Sequence, residues 1–359
     1  MNVSDRYGTF DRLLYRIAFR AGTAQRTLAD MEEMLYGETL DEIEVGDPVF
    51  ITALPRAGTT ILLKLLWETG RFATHTYQDM PFVLAPLLWR RYAELFGRDI
   101  EATERAHGDG IEVSGKSPEA FEEMVWKQFW PTHYRGDYIR PWTREDQNPE
   151  FDTFFERHMR KVAAARNEEA PDAGRYLSKN NLNIARLAAP PEPLRTGTFV
   201  IPFRDPLQQA ASMQRQHERF LELHEEDDFV REYMEAIGHH EFGKGLKPVD
   251  FDGWLDDAPP PSTLAFWVRY WTVAYRFVLD HAGNEAVLLS YRRLVQQPEA
   301  ALSRLAERLD VPRAALAGQA DQIQPPRTHE VDTSQLPDEI DREAAEVYDQ
   351  LDQHAVART

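Results

Sequence analysis

Six consecutive residues, Pro55-Arg56-Ala57-Gly58-Thr59-Thr60, gather what a tetrahedral anion needs. Arg56 supplies a fixed positive charge, Gly58 lets the backbone approach closely, and Thr59 and Thr60 add hydroxyl donors. The apolar run Pro48–Leu54 before them reads as a buried strand, and Ile61–Trp67 after them as a buried helix. A loop between a strand and a helix N-terminus offers free backbone N–H groups and the positive end of the helix dipole, which suits phosphate or sulfate. The nucleotide-hydrolase loop G-x-x-x-x-G-K-[ST] does not fit, because Ala53 and Thr59 stand at its first Gly and its Lys.

A second group lies further on, in Phe203-Arg204-Asp205-Pro206 and Ser212. Gly197–Phe203 reads as a strand, Asp205 as a helix cap and Pro206 as the first helical residue. Ser212 is seven residues past the cap, about 20° short of two full turns, so it lies on the face below Asp205. Arg204 can grip an oxyanion with two parallel hydrogen bonds, or pair with a neighbouring carboxylate. Lys179, one of seven lysines, ends the short strand Tyr176–Lys179 ahead of Asn180-Asn181. Parallel strands deliver such ends to one edge, where ligands sit. Lys179 there meets either an anionic leaving group or one of the sixty acidic side chains. His75 is a candidate general base, as an alternative to a carboxylate.

These two groups together resemble the sulfotransferase family. Pro55–Thr60 is similar to that family's 5′-phosphosulfate loop, P-[KR]-[ST]-G-T-[TS], in the arginine form found in the tyrosylprotein branch and related bacterial enzymes. Ala57 departs from the usual Ser and removes one side-chain donor. Arg204 and Ser212 match the Arg and the Ser eight residues later that hold the 3′-phosphate of the donor. Ser290-Tyr291-Arg-Arg-Leu294 with Pro298 resembles a looser third segment, with Arg292 where Glu is common. Tyr291 there is either a donor contact or a strand-end core residue. The resemblance runs from about 48 to 310.

It implies 3′-phosphoadenosine 5′-phosphosulfate as donor substrate, a hydroxyl acceptor, in-line sulfuryl transfer and no metal. Arg56, Ala57, Gly58, Thr59, Thr60, Arg204, Ser212 and Tyr291 would bind the donor, and Arg56 and Lys179 would meet the leaving charge. A carboxylate about two dozen residues past the loop would take the acceptor proton. Asp79, 24 residues after Pro55, is the nearest one, with a helix cap before Pro81 as its other use. A P-loop kinase with Asp205 on Mg²⁺ is the enzyme alternative. A nucleotide-binding protein without turnover is the other.

The elements that must hold these residues alternate. Strands at 48–54, 176–179, 197–203 and 286–290 are each followed by helices, which implies parallel pairing in an α/β architecture. The expected fold is a parallel sheet flanked by helices, the P-loop-like sulfotransferase fold, in one domain over 1–359. Residues 1–45 read as helices, from the spacing of Leu13, Leu14, Ile17 and Ala18 and of Leu28, Met31, Met34 and Leu35. Residues 80–170 read as a helical insertion covering the acceptor site, its Trp89, Trp126, Trp130 and Trp142 serving at least in part as core. His107, Asp109, Glu119 and Glu123 either line an acceptor pocket or hold a loop. Residues 224–261 read as acidic and irregular, and 338–355 as a final helix.

Composition narrows the function classes. With no Cys, disulfides, Cys-zinc sites and cysteine nucleophiles are excluded. Sixty acidic against 41 basic residues give −19, which disfavours nucleic acid, anionic membranes and polyanionic glycans as partners. His239, His240 and Glu241 lack the i, i+4 spacing of a helical metal site. No apolar run reaches the ~18 residues of a membrane span, and charge interrupts the N-terminal 20, so the expected location is cytoplasmic.

Overall fold

A computed structural model describes residues 22–95, 103–104, 112–113, 117–167, 170–283, 286–325 and 330–355. The spacing of Leu13 to Ala18, and His107 and Asp109, lie outside the described residues. Five parallel strands form the central sheet: β1 (Gly46–Ile51), β2 (Phe72–Ala73), β5 (Arg175–Lys179), β6 (Thr198–Phe203) and β7 (Val287–Ser290), in the order β2-β5-β1-β6-β7. A separate antiparallel pair, β3 (Thr103–Glu104) and β4 (Glu112–Val113), belongs to the segment between β2 and β5. The four strands expected from the sequence are all present. β2 was not expected, since two residues leave no pattern.

The strands are apolar on both faces because both faces are covered. Val49, Ile51, Leu177, Val200, Val287 and Leu289 point to one side. There they meet Leu62, Leu63, Leu65 and Leu66 of helix α2 (Thr59–Trp67), and Leu302 and Leu305 of a helix at Pro298–Arg308. Phe50, Tyr176, Phe199, Ile201 and Phe203 point to the other side, into a large aromatic core. This period-2 division makes three layers, helix on sheet on helix.

The segment between β2 and β5 is mainly helical, with helices α3 (Pro86–Leu95), α4 (Glu123–Phe129) and α5 (Pro149–Arg166), and a short α6 (Glu192–Arg195) follows β5. Trp89, Trp126, Trp130 and Trp142 are all buried in the core. The guanidinium of the fully buried Arg186 packs against two perpendicular rings, Trp126 and Trp142, 3.7 and 4.3 Å from their centroids. Residues 22–41 are helical, and the reading of 224–261 as irregular is corrected. In helix α1 (Gly22–Asp41) Met31, Met34 and Leu35 are exposed, because Gln25, Ala29 and Glu32 face inward instead. Gln25 donates to Pro81 O, and Glu32 faces Lys161 and accepts from Leu88 N–H. The acidic stretch 224–261 contains a helix, Asp228–Ala236, which buries Phe229, Val230 and Met234.

Burial also sets an acid limit. His158 and His240 are buried, and burial holds His158 far below the ordinary histidine value of 6.5 and pushes His240 down to about 3. Both stay neutral in the fold while the unfolded chain takes up protons below pH 6.5. Stability is therefore complete above that pH and falls as the pH drops towards the folded values. Each such histidine contributes roughly 1 kcal/mol of loss per pH unit. Urea unfolding at pH 7.5 and pH 5 should show this loss, and His240→Phe should reduce it.

Candidate active site

All five strands of the sheet are parallel, so their C-terminal ends share one edge, and the chain reverses its direction of travel across the sheet at β1. The segment after β1 carries Pro55–Gly58. Arg204 follows β6 and Tyr291 follows β7 on one flank. Lys179 ends β5 on the other flank, and His75–Asp79 follow β2.

The loop is shaped for an anion. Arg56 and Gly58 both have positive φ, 70° and 95°, with Ala57 buried between them. Such alternation gathers successive N–H groups into a concave nest. Gly58 is the N-cap of α2, whose first turn leaves further N–H groups without helical partners. Thr59 is buried and Thr60 half-buried at that turn.

Helix α7 (Pro206–Glu226) completes this flank. Asp205 accepts from Gln208 N–H at 2.9 Å, so the cap and the Pro206 start are as the sequence indicated. Arg56 Nε donates to Ser212 Oγ at 3.1 Å, which joins the loop to the second motif. Arg204 makes no ion pair with any described residue, Asp205 included. Its guanidinium carbon lies 5.9 Å from the Tyr291 ring centroid. Burial, then repulsion from Arg56 and Arg215, pulls the Arg204 pKa below its ordinary value, against Tyr291 and Asp205. The Tyr291 ring covers Gly58, and burial pushes its phenol up, against the pull of Arg204 and Arg56. Thus Arg56, Gly58, Arg204, Ser212 and Tyr291 are brought together.

Two neighbours were missed. Arg215 is one helical turn beyond Ser212, and its spacing of three was a readable signal. It makes no hydrogen bond or ion pair with a described residue. Gln209 is fully buried. Its amide donates to Leu54 O and Pro55 O at 3.2 and 2.9 Å, and its oxygen accepts from Trp271 Nε1 at 3.0 Å. Nothing in the sequence marked it.

On the other flank Lys179 is 8% exposed and lies in register with Ile51, the last residue of β1. Asn180 donates to both Glu122 and Glu123, at 3.1 and 2.7 Å. Asn181 O accepts from Thr52 Oγ1 at 3.2 Å, and Asn181 Nδ2 donates to Glu241 at 2.9 Å.

Asp79 does not have the surroundings of a base. It is fully buried, and its oxygens lie 2.6 and 2.5 Å from Arg166 Nη2. It also accepts from Thr76 N–H and contacts His75 Nδ1, both at 3.0 Å. Arg166, His75 and Thr76 outweigh burial and hold its carboxyl well below the usual range. A carboxylate so stabilised is a weak proton acceptor, and no acceptor hydroxyl can reach it. His75 is equally enclosed, with Nε2 2.9 Å from His158 Nε2. Glu119 accepts from Tyr77 OH and Ala120 N–H, and Glu123 pairs with Arg186, so both hold structure.

No family model matches the sequence, and no curated protein does. Solved structures do. This chain has the sulfotransferase fold: a parallel sheet flanked by helices, with an anion-shaped loop after its central strand. Sulfotransferase STF9 from Mycobacterium avium is similar at a TM-score of 0.53 and 14% identity, over 97% of this chain and 87% of its own. Sulfotransferase STF1 from Mycobacterium tuberculosis H37Rv is similar at a TM-score of 0.48 and 14% identity, over 92% and 84%. No helix of the described residues is long and apolar enough to cross a membrane.

Proposed function

We propose that this chain is a sulfotransferase that moves a sulfuryl group from 3′-phosphoadenosine 5′-phosphosulfate to a hydroxyl acceptor. The observation that carries the reading is the convergence of Arg56, Arg204 and Arg215 beside Ser212 and the Arg56–Gly58 nest. In a chain of charge −19, Arg204 and Arg215 remain without a carboxylate partner among the described residues. Three guanidiniums held together against their own repulsion suit a polyanionic ligand.

In this reading the nest and the start of α2 bind the 5′-phosphosulfate, and Arg204, Ser212 and Arg215 bind the 3′-phosphate. Tyr291 lies between the two subsites. The acceptor oxygen attacks sulfur in line, and the bond from sulfur to the 5′-phosphate oxygen breaks. Arg56 and Lys179, on opposite flanks of β1, neutralise the charge left on that oxygen. No step is routed through a metal. Residues 1–359 act as one cytoplasmic domain, and the segment over the β2–β5 flank covers a small-molecule, lipid or neutral glycan acceptor.

Calorimetric titration with 3′-phosphoadenosine 5′-phosphate, with and without Mg²⁺, tests the donor site. Metal-independent micromolar binding is expected. Arg204→Ala should weaken it at least about tenfold, the loss of one charge-assisted hydrogen-bond pair. Arg215→Ala should weaken it by roughly three- to tenfold. Absence of binding, with Mg²⁺-dependent binding of ATP instead, would overturn the reading in favour of a kinase.

A further inference from the structure

Sulfuryl transfer to an alcohol needs an acceptor for the hydroxyl proton, and the carboxylates around the β2–β5 flank differ sharply in their freedom to serve. Asp79 is locked to Arg166. Glu119 has both oxygens engaged. Glu122 accepts from Trp126 Nε1, Tyr176 OH, Asn180 and Asn183, and Glu123 from Arg186, Tyr134 and Asn180. Glu241 differs from all four. It is half-buried, makes no ion pair with a described residue, and accepts one hydrogen bond, from Asn181.

Its position is well determined. Asn181 is two residues past Lys179 and bonds through its carbonyl to Thr52, the first residue after β1. Glu241 is therefore held against the turn that follows Lys179, and that turn touches Thr52, three residues before the anion loop. The amide oxygen of Asn181 is buried with no hydrogen-bond partner, so this edge has an acceptor waiting for a donor. The segment carrying Glu241 is pinned to α7. His217 Nδ1 and His224 Nδ1 accept from the N–H groups of Gly243 and Lys244, each at 3.1 Å. Glu241 is thus tied to the helix that carries Ser212 and Arg215.

We propose that Glu241 is the general base, oriented by Asn181, and that it takes the hydroxyl proton as the acceptor oxygen attacks. The oxygen–sulfur bond forms, the bond from sulfur to the 5′-phosphate oxygen breaks, and the proton ends on the free oxygen of Glu241. The products are the sulfate ester and 3′-phosphoadenosine 5′-phosphate. This inference rests on the sulfuryl-transfer reading above.

The test uses the full chain with 3′-phosphoadenosine 5′-phosphosulfate and two probe acceptors, 2-phenylethanol and 4-nitrophenol. The alcohol holds its proton tightly and needs a base, whereas the phenol gives its proton up near neutral pH. Glu241→Gln should lower turnover of the alcohol about 100-fold or more. It should lower that of the phenol far less, with binding of 3′-phosphoadenosine 5′-phosphate within twofold of the parent. Glu241→Asp should recover part of the loss. Unchanged turnover of the alcohol in Glu241→Gln would overturn the assignment, as would equal losses on both probes. A parent protein that binds the nucleotide but transfers to neither probe nor water would overturn the sulfuryl-transfer reading, and this assignment with it.

Discussion

Asp79→Ala is expected to lower stability by about 3–5 kcal/mol, because it leaves the buried Arg166 guanidinium without its counter-charge. Arg166 would keep only the neutral acceptors Thr74 O, Ala165 O and Thr76 Oγ1, and His75 Nδ1 would lose its carboxylate. In a chain of this size the melting temperature should fall by roughly 5 °C. Asp79→Asn keeps the shape but not the charge, and should fall between the parent and Asp79→Ala. A base would behave in the opposite way, with Asp79→Asn keeping its melting temperature while turnover collapsed. Thermal unfolding alongside turnover per folded molecule separates the two. The sign with pH is also fixed. The folded carboxyl is depressed, so its contribution is complete above the ordinary carboxylate range and is lost as the pH falls below it.

Gly58→Ala is expected to abolish most donor binding. The residue has φ of 95°, a region costly for any side chain, by roughly 1–3 kcal/mol. An added Cβ would also lie 2.7 Å from Tyr291 Cε2. That ring is the near wall of the loop, so either the loop opens or the tyrosine leaves the site. Affinity for 3′-phosphoadenosine 5′-phosphate should fall by about 30-fold or more, which corresponds to about 2 kcal/mol. Tyr291→Ala added to Gly58→Ala should relieve the contact and leave the backbone cost. If the double variant binds no better than the single, the ring contact is not the obstacle.

The parts of the molecule that were legible are those whose cause is local. β1, β6 and β7 announce themselves because parallel strands buried on both faces are continuous apolar runs, whereas β5, Arg175–Lys179, is readable only from the strand–helix alternation around it. The Arg56–Thr60 loop and the Asp205–Pro206 helix start are readable because anion nests and caps are built from adjacent residues. What failed depended on distant partners. The distance of Asp79 from the loop along the chain says nothing of Arg166, 87 residues further on. Glu241 is visible in the sequence only as the neighbour of His239 and His240, because its partner Asn181 lies 60 residues earlier. In α1 the apolar spacing was real but faced outward, because Gln25 and Glu32 had partners on other elements.

The buried Gln209 amide has a mechanical consequence. One side chain of α7 holds the carbonyls of Leu54 and Pro55, where the chain enters the anion loop, and is itself held by Trp271, on the helix Leu264–His281. The loop therefore cannot open without breaking the hydrogen bonds of a fully buried side chain. Loop and helix form one cooperative unit, and the energy that protects the loop from local unfolding is the energy that protects the core. The anion-shaped loop thus belongs to a rigid part of the molecule, so any closure over a bound ligand must come from elements other than these.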